Sequence, residues 1–123
     1  MKTALILFAH GARDPEWANP LRRVKAAVQA RRPGVPVELA FLEFMSPTLP
    51  ESIAGLLAAG VSRIVVMPMF VARGGHLKRD LPEMLAALRD AHPDVEFIQG
   101  DAIGEHETVI QAMAAAALQE AGL

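Results

Sequence analysis

Residues Ala4 to Pro15 read ALILFAHGARDP. Ala4 to Ala9 are apolar without alternation, and His10-Gly11 ends the run. A short unbroken apolar run predicts a strand buried on both faces, which belongs in a parallel sheet covered by helices. The polar residues that close the strand are then the first place to look for chemistry. In open parallel sheets, ligands bind beyond the carboxyl ends of the strands.

The rest of the chain repeats the theme. Pro15 suits a first helical turn, and Leu21, Val24 and Val28 recur at helical spacing through Arg31 before Pro33-Gly34. Val35 to Phe44 holds a second strand that begins after Pro36. Ser46-Pro47-Thr48 opens a helix with Ile53, Leu56 and Leu57 on one face. Arg63 to Met69 is a third buried strand, and Lys78 to Ala91 a third helix with Leu81, Leu85 and Leu88 aligned. Val95 to Ile98 is a fourth strand, and Glu105 to Ala121 an alanine-rich last helix. The βαβαβαβα order predicts an α/β fold: a single domain over residues 1–123, with a four-stranded parallel sheet and helices on both faces.

Composition narrows the function. The 123 residues fit one domain with a proper core. There is no Cys, which excludes disulfides, thiolate metal sites and cysteine nucleophiles. A net charge of −2 gives no global basic field for nucleic acid. The apolar run Ala4 to Ala9 is too short for a secretory core, and no run reaches transmembrane length, so a cytoplasmic protein without a membrane partner is expected.

Three candidate ligands follow three successive strands. His10 closes the first, Glu43 lies near the end of the second, and His76 follows Gly74-Gly75 after the third. A flavodoxin-like strand order, with the first strand between the second and third, brings all three to one rim. Two imidazoles and a carboxylate suit Co²⁺, Fe²⁺, Ni²⁺ or Zn²⁺, and three protein ligands leave coordination positions open. Taken singly, each has a plainer reading. A His at a strand end is commonly a turn residue, and Glu43 in FLEFM is a solvent-facing group or a buried one that needs a partner. Their convergence is what points to a site.

Gly11, Gly74 and Gly75 are expected to allow tight turns and the close approach of something flat or bulky. Arg13, Arg73, Lys78 and Arg79 flank the same rim, either as solvated loop charge or as a basic collar for an anionic substrate. Asp14 and Asp80 read as partners for these bases. Met67 and Met69 read as core, His92 as a helix C-terminal cap, and His106 as a surface residue.

Other motifs fail. Ala9 stands where histidine-phosphatase chemistry needs Arg before His-Gly. There is no G-x-S-x-G, and Gly-Gly-His-Leu-Lys is not a P-loop.

His10-Gly11-x-Arg13-Asp14-Pro15, Phe41-Leu42-Glu43 with Pro47-Thr48-Leu49, and Pro68-x-Phe70 through Gly74-Gly75-His76-x-x-x-Asp80-x-Pro82 resemble the short CbiX family of sirohydrochlorin chelatases, relatives of the class II chelatases. The resemblance covers nearly the whole chain, with Ala12 where members often carry Ser. It implies ATP-independent insertion of a divalent ion into sirohydrochlorin, a polycarboxylate tetrapyrrole. The ion implied is typically Co²⁺ for cobalamin, with Fe²⁺ for siroheme or Ni²⁺ as alternatives. It implies metal binding and catalysis at His10, Glu43 and His76, and a homodimer, since the short form resembles half of the longer chelatases. Arg13, Arg73, Gly74, Gly75 and Lys78 would then meet the macrocycle and its carboxylates. Insertion removes two pyrrole N–H protons, and an imidazole, titrating at about 6.5, can hold metal or accept a proton near neutrality. A noncatalytic metal or tetrapyrrole carrier would use the same ligands.

Overall fold

The computed structural model describes residues 2–72 and 74–123, apart from the side chains of His76 and Leu77. Four parallel strands, β1 (Thr3–Ala9), β2 (Val37–Phe41), β3 (Arg63–Pro68) and β4 (Glu96–Gln99), form one sheet in the order β2-β1-β3-β4. This is the flavodoxin-like order, with β1 between β2 and β3. Four helices alternate with the strands: α1 (Asn19–Arg31), α2 (Leu49–Ala58), α3 (Gly75–Ala91) and α4 (Glu107–Glu120). Among the described residues, no helix is long and apolar enough to cross a membrane.

Both faces of β1 are buried, as its unbroken apolar run requires. Ala4, Ile6 and Phe8 join Leu49, Ile53 and Leu56 of α2 and Leu81 and Leu85 of α3 in one core. Leu7 and Ala9 face the other way, into a smaller core with Leu21 and Val28 of α1. That second layer is incomplete. Val65 and Ile98 are register partners on the face α1 shares, yet both stay half-buried. No residue of α4 is buried, and Ile110, Met113 and Leu118 are exposed.

Some element ends differ from the sequence expectation. The first helix does not run unbroken from Pro15: a 3-10 turn covers Pro15–Ala18 and α1 starts at Asn19. Pro20 has no N–H to donate to Glu16, so the Asn19 N–H reaches that carbonyl in the tighter 3-10 pattern instead. Asp14 caps the turn, its side chain accepting from the Glu16 N–H at 2.9 Å rather than pairing with a base. The second strand stops at Phe41, three residues short of Phe44. The Phe41 N–H donates to the Pro47 carbonyl at 2.9 Å, which closes residues 42–47 into a loop. Thr48 and Glu51 then form a capping box at α2. The Thr48 backbone N–H, then its hydroxyl, hold the exposed Glu51 carboxyl below its ordinary range. The third helix begins at Gly75, not Lys78, because the Gly74 carbonyl accepts the Lys78 N–H at 3.1 Å and starts the ladder early. His92 closes α3 through its backbone N–H to Leu88, as expected of a cap.

Candidate active site

Beyond Ala9, the chain keeps pairing with its neighbours although the strands have ended. The Leu42 N–H donates to the Ala9 carbonyl at 2.9 Å, and the Glu43 N–H to the His10 carbonyl at 3.1 Å. These two bonds hold residues 10 and 43 side by side. Gly11 makes the arrangement possible. Its φ is +94°, and a Cβ there would lie 1.9 Å from the Glu43 carbonyl oxygen. Only glycine fits a backbone that close and that twisted.

The side chains meet as a result. His10 Nε2 lies 3.1 Å from Glu43 Oε1, with both groups about half exposed (52% and 47%). An ionised carboxylate only accepts, so this bond places the proton on Nε2 and leaves the Nδ1 lone pair for a cation or a proton. Glu43 is thus neither a buried orphan nor an idle surface group.

The pair opens onto a pocket of about 640 Å³, within the range of small-molecule sites. Leu42, Phe70, Ala72, Gly74, Gly75 and Asp80 also line it among the described residues. Phe70 packs edge-on against buried Phe8, with ring centroids 6.1 Å apart, which ties the pocket to the main core. The loop after β3 is held from behind. Gly104, past β4, donates its N–H to the Phe70 carbonyl at 3.0 Å, and a Cβ there would lie 2.2 Å from the Val71 oxygen.

Gly74 and Gly75 need a different account from Gly11. A Cβ at either would meet nothing within 4 Å, and Gly74 has an ordinary φ of −74°. No tight turn demands glycine there, so of the two expected uses only room for an approaching molecule is left. His76 follows in the first turn of α3, and its side chain lies outside the described residues. Among the described residues, no three His, Asp or Glu side chains gather closely enough to hold an ion. The described structure therefore joins His10 to Glu43 and gives the backbone position of residue 76.

Of the expected basic collar, Arg13, Lys78 and Arg79 are not among the described lining residues. Arg13 sets its guanidinium 5.1 Å from the centre of the Phe44 ring, a cation–π contact. Phe44 has a φ of 66°, unusual for a bulky residue, and is 57% exposed. Lys78 and Arg79 are exposed on α3, and Arg73 lies outside the described residues. His106 is an exposed residue at the start of α4. Motif spacing alone does not mark Leu42, Phe70 or Ala72 as lining, and it points Asp80 toward a base rather than the pocket. Leu42 and Phe70 stand inside the quoted motifs, so their closeness to Glu43 and to the glycines is the available signal.

Comparison with known proteins identifies the family. The family model described as CbiX matches residues 4–120. A sirohydrochlorin cobaltochelatase of Saccharolobus islandicus is 37% identical over 111 residues, 85% of each chain. A CbiX protein of Marinobacter aquaeolei VT8, named for cobalamin biosynthesis, superposes with a TM-score of 0.85 at 25% identity over 98% of both chains. The sirohydrochlorin chelatase SirB of Bacillus subtilis subspecies spizizenii, solved in complex with cobalt, gives 0.79 at 26% identity, covering 94% of this chain but 49% of its own. Since the family match runs through every strand and all the loops that build the pocket, the chain belongs to the CbiX family.

Proposed function

We propose that the protein inserts a divalent ion, Co²⁺ foremost, into sirohydrochlorin in the cytoplasm without ATP. The observation that carries the reading is the His10–Glu43 pair at the mouth of a strand-end pocket in a CbiX chain. A relative named sirohydrochlorin cobaltochelatase and a SirB structure with cobalt support the reading. Fe²⁺ and Ni²⁺ remain alternative cargoes, because N/O ligand sets rank divalent ions by general affinity and supply decides among them.

The chemistry follows from the balance of the reaction. Two N–H bonds of the macrocycle break, bonds from the ring nitrogens to the metal form, and two protons leave. His10 supplies one lone pair, at Nδ1, to hold the ion or take a proton. Glu43 stabilises the imidazolium that a proton would create, as a carboxylate beside His does. His76 completes the proposed ligand set. Gly74 and Gly75 leave space for the macrocycle plane, while Arg13, Arg73 and Lys78 answer its carboxylates. Steady-state assays with Co²⁺, Fe²⁺ and Ni²⁺, followed by the visible spectrum of sirohydrochlorin, test the reading. Many turnovers per chain with Co²⁺ are expected. Stoichiometric binding without turnover would make the protein a carrier instead.

A homodimer belongs to the same proposal. A tetrapyrrole is broad and flat, and a ligand site buries most of its ligand. The exposed apolar residues of α4 and the half-buried strip at Val65 and Ile98 are surfaces a second copy would cover. Light scattering coupled to size exclusion should return twice the chain mass at assay concentrations. Met113→Glu should shift that mass toward the monomer and lower activity with it. A fully active monomer would end the dimer model.

A further inference from the structure

We infer that Asp80 is a metal-handling residue of this site: it receives the incoming divalent ion across the pocket from the His10–Glu43 pair. The inference rests on the insertion reading above. Among the described lining residues three are ionisable, His10, Glu43 and Asp80. Two of these three are carboxylates, Glu43 and Asp80. The remaining side chains, Leu42, Phe70 and Ala72, are apolar, so they do not screen those charges.

Among the described residues, Asp80 fills none of the plainer roles. The described residues make two ion pairs, His10–Glu43 and Arg63–Glu96, and Asp80 is in neither. It caps nothing, since α3 starts at Gly75 and has no side-chain cap. It also lies past the first turn, where a carboxylate would favour the helix dipole. Position 80 is one turn beyond position 76 on α3, so the two share a helix face.

Distance defines the role. Asp80 and the pair do not gather tightly enough to form one ligand cluster. Asp80 therefore meets the ion separately, directly or through its water shell. That suits a cargo that has to leave, because a closed set of ligands retains its ion as structural sites do. It also sorts the two substrates. Glu43 and Asp80 draw the cation inward and turn the tetrapyrrole carboxylates outward.

The test is Asp80→Asn with Asp80→Glu beside it. At saturating sirohydrochlorin, the apparent KM for Co²⁺ is expected to rise about tenfold in Asp80→Asn, the loss of one charge acting on a divalent ion at short range. The KM for sirohydrochlorin should change less than about twofold, and Asp80→Glu should stay close to the parent. Equilibrium dialysis of Co²⁺ alone against the metal-free chain should weaken in parallel in Asp80→Asn. An unchanged Co²⁺ KM and unchanged dialysis overturn the role. So does an equal rise in both KM values, or an Asp80→Glu variant as impaired as Asp80→Asn. If the parent chain binds Co²⁺ but turns nothing over, the insertion reading fails instead, and the dialysis still decides for Asp80.

Discussion

A His10→Ala variant should lose at least about a hundredfold in sirohydrochlorin turnover, within the range that a positioned proton-transfer group contributes. Its melting temperature should stay within a few degrees of the parent, because His10 is half exposed and joins neither core. The variant removes the Nδ1 lone pair and strands the Glu43 carboxylate without its partner. Glu43→Gln should be milder, about tenfold, because the amide oxygen can still accept from Nε2 at the same place. Initial rates from the visible spectrum, paired with circular dichroism melts, give both readouts. A His10→Ala enzyme that melts normally and keeps its rate would show that the pair takes no part in the reaction.

Gly11→Ala should strike stability and turnover together. The new Cβ would sit 1.9 Å from the Glu43 carbonyl oxygen, on a backbone whose φ of +94° already disfavours any side chain. No flexible side chain is there to yield, so backbone must move. The contact gives way where the 42–47 loop leaves the strand, which breaks the 3.1 Å bond between Glu43 N–H and His10 carbonyl. The cost should be at least about 2 kcal/mol, the scale of a strained backbone position plus a lost hydrogen bond. The melting temperature should then fall on the order of 10 °C for a chain of this size. Turnover at a temperature where the variant remains folded should still drop, since Oε1 moves with its backbone. A normal melt would mean that the loop yields without strain. A normal rate would mean that the His10–Glu43 contact is dispensable.

Both variants act on a site whose position was legible before its geometry. An apolar run such as Ala4 to Ala9 allows few environments, and the flavodoxin-like order assumed for the strands is the one found. That is why His10 and Glu43 were expected on one rim and are found 3.1 Å apart. Ends of elements were less legible, for local reasons. The missing N–H of Pro20 splits a helix that periodicity joins. The Phe41–Pro47 hydrogen bond stops a strand that hydrophobicity would extend. Two glycines made the start of α3 read as loop, although the Gly74 carbonyl takes the Lys78 N–H as any first turn does. Asp80 lines the pocket, which the sequence did not single out. Its neighbours Lys78 and Arg79 suggested charge pairing, but along a helix adjacent residues do not face one another. Partners on a helix are found three or four positions away, and counting in that step leads from Asp80 back to His76.

The contact behind the pocket bears on how the chain tolerates change. Gly104 reaches the loop after β3 from a segment some thirty residues later, and it does so with backbone against backbone. A substitution or a one-residue deletion between Gly100 and Glu105 would alter Phe70 and Val71 without touching any ligand. In a mutational survey those positions would behave like pocket residues although none of them lines it. Libraries meant to redirect metal preference should hold that segment fixed while varying Ala72 and Leu42. Otherwise losses of loop support will be counted as changes of selectivity.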